Sequence, residues 1–238
     1  GWSEQGVLID VMAHFGTLFA VMIYFRHDVA SMVTGFFDLV RRRLNVKSML
    51  ALNIILASPP ALLLGAFLHF RGFDEAMRSP LIIALTSIIF GILLWIADVK
   101  GRREKTTEEL TWKGAVGLGL AQSLALIPGT SRSGITMTAA RGMGMTRIEA
   151  ARFSMLMSIP IIAAGGLFSL IKLAGAPDGG AALKDGLIVA GLSFVTAYLA
   201  IAFFMKLVSR IGMFPFMIYR VVLGIALLIW IFQSGSPA

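Results

Sequence analysis

The sequence predicts an all-α polytopic membrane protein with an inverted repeat, about six transmembrane helices and a re-entrant helical hairpin. Three observations predict it. Of the 238 residues, 57% are hydrophobic and 14% charged, and the mean hydropathy of +0.84 exceeds that of a soluble domain. Uncharged runs of the roughly 17 to 25 residues that cross a bilayer recur without the strict alternation of a β-barrel, so the spans are helices. Finally, "ALIPGTSRSGITM", residues 125–137, breaks an apolar run with a proline, two glycines, four hydroxyl side chains and an arginine.

The apolar windows place spans near 8–25, 49–68, 81–97, 153–172, 186–206 and 214–232, with a shorter run at 114–127 that ends at the motif. Between the first two spans, Phe36, Phe37, Leu39 and Val40 precede Arg41, Arg42 and Arg43, which reads as an amphipathic interfacial helix. The whole of 1–238 forms one integral membrane domain, its first repeat about 1–97 and its second about 114–238.

Orientation follows from the cations. The 26–48 loop holds Arg26, Arg41, Arg42, Arg43 and Lys47, and the 98–113 loop holds Lys100, Arg102, Arg103, Lys105 and Lys113. The 69–80 loop has only Arg71 and Arg78, and the 173–185 loop one lysine. The basic loops are expected in the cytoplasm and the other two outside. Segment 114–152 must then enter the membrane and return on the same side. Pro128 to Gly134 form its tip, because non-helical backbone at membrane depth needs a protein-lined or wet cavity.

"IDVMAHFGTLFAVMIYF" (9–25) resembles "FSMLMSIPIIAAGGLFS" (153–169), and "SPLIIALTSIIFGILLW" (79–95) resembles "FPFMIYRVVLGIALLIW" (214–230). The first pair run in opposite senses, so the repeat is inverted and the site is expected where the repeats meet, near the midplane. The first pair's offset puts the counterpart of Ser131 about 13 residues before Gly1. Half of the site is therefore expected to lie outside this sequence.

Within "PGTSRSG", the glycines allow tight turns, and successive backbone N–H groups can form an anion nest. Thr130, Ser131 and Ser133 add hydroxyls, and Arg132 adds a permanent charge with a fork suited to phosphate oxygens. The pattern reads as a phosphate cradle; the alternative is a helix break with a snorkelling arginine. Arg220, within "FMIYRVVLG", should face the interior beside Tyr219, in an ion pair or orienting the anion. Its acid could be Glu149, which could equally pair with Arg147 or Arg152. Gln122, two turns before the tip, is placed to bind a cavity water or ligand. His14 and Asp10, one turn apart, read as a core histidine bonded to its neighbour. His27 and His69 read as loop residues.

The absence of cysteine excludes disulfides, thiolate metal sites and cysteine nucleophiles. The net charge of +8 sits in the loops, where topology and anionic headgroups explain it without nucleic acid. With no P-loop, zinc motif, dinucleotide fingerprint or nucleophile elbow, a phosphate site in a membrane suggests an amphiphilic phosphate whose tail stays in lipid.

"QSLALIPGTSRSGITM", "RIEAARFSMLMSIP", "DVMAHFGTLFAVMIYF" and "FPFMIYRVVLG" together resemble the undecaprenyl-pyrophosphate phosphatases, the bacterial membrane enzymes associated with bacitracin resistance. The likeness runs the length of the chain. It implies hydrolysis of undecaprenyl pyrophosphate to the monophosphate and inorganic phosphate, recycling the carrier for peptidoglycan synthesis at the outer face of the plasma membrane. By the resemblance, Gly129, Thr130, Ser131, Arg132, Ser133 and Gly134 grip the pyrophosphate. Ser131, Arg132 and Ser133 are the expected catalytic residues; Gln122, Tyr219 and Arg220 are expected to help bind substrate. Family members also carry an earlier hairpin with paired glutamates and a Pro-(Ile/Val)-Ser-Ser-Thr-Gly-His stretch. That hairpin supplies the nucleophile or acid/base group and the ligands of a divalent cation, Mg²⁺ or Ca²⁺. It has no counterpart in these 238 residues, so this chain alone is expected to show little or no phosphatase activity. Expected partners are the polyprenyl pyrophosphate, membrane lipids and, as one option, a second copy in a homodimer. The rival reading is a transporter or flippase for a polyprenyl phosphate, since inverted repeats with broken helices also build carriers.

Overall fold

A computed structural model describes residues 7–71, 79–174 and 182–234, in which every regular element is a helix. In order these are α1 (Val7–Tyr24), α2 (Arg26–Val40), α3 (Val46–Ala57), α4 (Pro59–Phe70), α5 (Pro80–Lys100), α6 (Trp112–Ser123), α7 (Arg132–Gly142), α8 (Arg147–Leu156), α9 (Ser158–Ala174), α10 (Ala182–Ile211) and α11 (Phe214–Ser234). Single 3₁₀ turns occupy Thr107–Glu109 and Leu124–Leu126.

Five helical stretches are long and apolar enough to cross a membrane: Val46–Phe70, Pro80–Lys100, Arg147–Leu167, Gly186–Ile211 and Phe214–Ser234. The sixth expected span is α1, whose apolar part, Val11–Tyr24, is shorter. Three expectations are corrected. The run expected at 49–68 starts at Val46, capped by Asn45, and breaks at Ser58, because Pro59 and Pro60 cannot donate to the preceding turn. The run expected at 153–172 starts at Arg147 and breaks at Met157. The amphipathic helix α2 ends at Val40, leaving Arg41, Arg42 and Arg43 beyond it, with Arg42 at φ +58°. The loops expected outside the membrane fall largely on 72–78 and 175–181, outside the described residues.

The chain forms two compact units. One comprises residues 1–30 and 155–206. Here α1 packs along α9. The absent side chain of Gly16 lets α1 close onto the carbonyl of Ala190 in α10. Tyr24 meets Phe25 edge-on at 4.8 Å between ring centroids and Tyr198 at 5.6 Å. His14 is exposed on α1, not in a core, since the buried positions are Val11, Leu18, Ala20 and Val21; the side chain of Asp10 lies outside the described residues.

The second unit comprises residues 31–154 and 207–238. Its frame is α5 packed along α11, close where Gly91 faces Arg220 and Gly224 faces Ile88. The helices matched in sequence, 79–95 with 214–230, are thus neighbours here. Against this frame, α6 and α7 form a hairpin that also packs on α3 and α4. A Cβ on Gly119 of α6 would lie 2.5 Å from the carbonyl oxygen of Ala57, so the arm seats where α3 gives way to α4. At the base of this hairpin the Gly144 carbonyl accepts from the N–H groups of Glu104 (3.2 Å) and Lys105 (3.0 Å), and Thr146 N–H donates to the Lys105 carbonyl (3.0 Å). The chain comes back to the segment it left. His27 and His69, expected in loops, sit in the first turn of α2 and the last of α4.

Candidate active site

Backbone constraints shape the hairpin tip. Gly129 has φ +83°, and a Cβ there would lie 2.5 Å from the carbonyl oxygen of Ile83 and overlap the Thr86 hydroxyl. Only glycine combines that conformation with that approach. The tip is then bonded to the frame through its own carbonyls. Thr86 Oγ1 donates to the Pro128 carbonyl at 2.6 Å, Ser87 Oγ to Gly129 at 3.3 Å, and Arg220 Nη2 to Gly129 at 2.6 Å. Arg220 Nε donates to the Ser87 carbonyl at 3.3 Å. Arg220 therefore faces the interior as expected, but it bonds backbone carbonyls and makes no described ion pair. Tyr219, its neighbour in sequence, is 66% exposed on α11 with no described bond to the tip.

The chain turns into α7 at Ser131, a non-glycine residue at φ +66°. Its side chain caps the helix, accepting from Gly134 N–H at 3.3 Å, while Ile135 N–H donates to its carbonyl at 3.0 Å. Among the described residues, the N–H groups of Ser131, Arg132 and Ser133 have no protein acceptor. They lie at the positive end of the α7 dipole, a ready anion site. Ser131 is exposed, while Arg132 and Ser133 are half-buried. Arg132 uses Nη1 to hold the Ser154 carbonyl at 3.0 Å, which fixes the side chain and leaves its other donors for a ligand. Thr136, one turn on, bonds the Arg132 carbonyl at 2.9 Å and Ser154 Oγ at 2.6 Å, holding α7 against α8.

Thr130 and Gln122 are both buried. The hydroxyl of Thr130 and both polar atoms of the Gln122 amide have no partner among the described residues. Buried polar groups left this way are uncommon and ask for a water or ligand.

Sequence reasoning missed the groups that set the hairpin's base. Arg141 is fully buried, and each of its five N–H bonds has an acceptor. Nε donates to Asp98 Oδ1 (3.1 Å); Nη1 donates to the carbonyls of Arg102 (2.9 Å) and Met145; Nη2 donates to those of Asp98 (2.9 Å) and Gly101 (3.1 Å). Asp98 also accepts from Arg147 Nε (2.8 Å) and Nη2 (2.7 Å) and from Met213 N–H (3.2 Å). One carboxylate thus joins α5, α7, α8 and the start of α11. Glu149 pairs with Arg152 at 3.2 Å and accepts from Thr107, which settles its choice among the arginines. The available signal was an acid, Asp98, at the end of an apolar span just before a basic loop.

Fold and site define a class: a polytopic helical membrane protein whose hairpin tip sets an arginine at the N-terminus of a helix. The chain belongs to the family described as Bacitracin resistance protein BacA, which matches residues 1–226. Among curated proteins it is 53% identical over 233 residues to an undecaprenyl-diphosphatase of Maricaulis maris (strain MCS10), covering 97% of this chain and 87% of that one. It is 48% identical over 240 residues to the undecaprenyl-diphosphatase of Aliivibrio salmonicida (strain LFI1238), covering 97% and 86%. That of Alcanivorax borkumensis (strain ATCC 700651 / DSM 11573 / NCIMB 13689 / SK2) is also 48% identical, over 235 residues, covering 97% and 87%.

Proposed function

We propose that this protein hydrolyses undecaprenyl pyrophosphate to undecaprenyl phosphate and inorganic phosphate, with the hairpin tip gripping the phosphates. The observation that carries the residue assignment is the start of α7, where Arg132 stands beside backbone N–H groups that have no protein acceptor. Charge gathers on the phosphoryl oxygens as the terminal P–O bond breaks, so donors fixed in advance around them lower the barrier. Ser131 and Ser133 add hydroxyls at the same turn. Thr130 and Gln122 line its buried side, and Arg220 acts indirectly by holding the Gly129 carbonyl.

The depth of the tip supports an outward-facing site in the bacterial plasma membrane. The tip bonds Thr86 and Ser87, about 9 Å along α5 from Pro80 at 1.5 Å per residue, and about 20 Å from Lys100. The Lys100 end carries the basic loop expected in the cytoplasm, and that polarity supports a tip in the outer half of the span.

Among the described residues no three His, Asp or Glu side chains converge to hold a metal. They do not fit the divalent cation that the resemblance implies, and no step here runs through one. In a protein that carries the earlier acidic hairpin as well, replacing Arg132 by alanine is expected to lower phosphate release from undecaprenyl pyrophosphate in detergent by about 10² or more, as for a lost electrostatic donor. Full activity in that variant would remove the tip from the mechanism. Substrate binding without phosphate release, by a protein whose earlier hairpin is intact, would favour a lipid carrier.

A further inference from the structure

The base of the hairpin, at the opposite end of α7 from the tip, holds a cleft lined by basic side chains. The cleft, of about 250 Å³, opens between the end of α5 and the turn after α7. Lys100, Arg102 and Lys105 line it, with Glu104 the only acid in the lining, so the site is net positive. The three cations are exposed, and none forms a described salt bridge. Glu109, which lines the adjoining surface with Lys105, accepts from Thr106, whose N–H donates to it at 2.8 Å and whose hydroxyl lies at 3.2 Å, and Lys105 stands in its field.

Gly142, Met143 and Gly144 form the far wall. A Cβ on Gly142 would meet nothing within 4 Å, and one on Gly144 would come to 3.7 Å from Arg102 and 3.8 Å from Lys105. A side chain at Gly144 would crowd Arg102 and Lys105, and one at Gly142, also in the lining, would project into open space. The floor is rigid, because the Arg141 guanidinium ties the carbonyls of Gly101, Arg102 and Met145 together from beneath. The membrane level is marked by Lys100 at the end of an apolar span and by Trp112, 53% exposed at the start of α6 with Lys113 over its ring at 5.5 Å. Tryptophan and lysine so placed sit among headgroups.

We propose that this cleft binds a phosphate-bearing anion at the membrane surface, the phosphate of an acidic phospholipid headgroup or a soluble phosphate. Basic pockets beside spans take acidic headgroups in this way. The bound group would brace the turn to which the hairpin returns, independently of the tip.

The test uses the whole protein in mild detergent with Arg132→Ala as background, so that the tip's grip does not mask the base. Retention of phosphatidylglycerol against phosphatidylcholine is read by native mass spectrometry, and protection by inorganic phosphate by thermal shift at matched ionic strength. Lys100→Gln/Lys105→Gln should weaken whichever ligand binds by about tenfold or more, since each cation near a headgroup contributes on the order of one factor of ten. Gly142→Leu, which fills the cleft without removing charge, should do the same. Selective loss of phosphatidylglycerol assigns the site to a headgroup; selective loss of phosphate protection assigns it to a soluble anion. If the lysine variant binds both as the background protein does, the proposal fails, whether or not the leucine variant folds.

Discussion

Arg220 Nη2 donates to the Gly129 carbonyl at 2.6 Å while its Nε donates to the Ser87 carbonyl at 3.3 Å, so one guanidinium from α11 holds both the hairpin tip and the helix against which the tip rests. A fork is needed to span two carbonyls, and an ammonium is a point donor. Arg220→Lys, which keeps the charge, is therefore expected to lower kcat/KM for phosphate release by about tenfold, and Arg220→Ala by more. Wild-type kinetics in the lysine variant would show that charge alone matters here.

Gly129 and Gly142 make opposite predictions for the same substitution. Gly129→Ala forces a side chain into the left-handed region and against α5, and is expected to destabilise by about 3 kcal/mol or more with loss of activity. Gly142→Ala meets open space at the end of a helix and should be neutral or stabilising by about 0.5 kcal/mol. Thermal denaturation of the two variants in one detergent compares them directly. Equal midpoints would mean that the tip is not pressed against α5.

At the base, Arg141→Met leaves four backbone carbonyls and the Asp98 carboxylate oxygen Oδ1 without the donors that Arg141 supplies in a fully buried place. A cost of about 3 to 5 kcal/mol is expected. Arg147→Met breaks two bonds to the same carboxylate, but its side chain is 23% exposed and water can replace it, so about 1 kcal/mol is expected. Adding Asp98→Asn to Arg141→Met should cost less than the sum of the single changes, because the two share one interaction. Additive losses would separate them.

Ser131 holds a left-handed φ that an L side chain adopts at a cost of about 1 kcal/mol or more. Ser131→Gly relieves that strain but removes the cap and the hydroxyl beside the anion. Melting temperature is expected to stay level or rise while phosphate release falls by about tenfold. A parallel loss of stability and activity would instead make Ser131 a structural residue.

Much of the site was legible because its parts are contiguous. Proline, glycine and hydroxyl residues break a helix for local steric reasons, so "PGTSRSG" marks the turn, the helix start and the arginine within seven residues. The apolar runs were equally plain, since crossing hydrocarbon fixes their length and excludes charge. What they conceal is where a helix breaks inside a run: Pro59 and Pro60 mark the break at Ser58, and Pro160, in the first turn of α9, marks the break at Met157, yet both runs read as continuous spans from their polarity alone.

The partnerships had no local signature. Arg132 could be read as an anion ligand, yet its anchor on the Ser154 carbonyl, 22 residues away, comes from packing α7 on α8. Tyr219 looked like a companion of Arg220, but neighbours on a helix point about 100° apart, and only the arginine turns toward α5. Glu149 faced three possible arginines in sequence and has one in the fold, while Asp98, unremarked in sequence, collects two others. Sequence alone determined the solvent, the spans and the motif, because each follows from the polarity and sterics of adjacent residues. Tertiary structure decided which charge meets which carbonyl, because a buried donor takes its acceptor from whatever backbone the packing brings within about 3 Å.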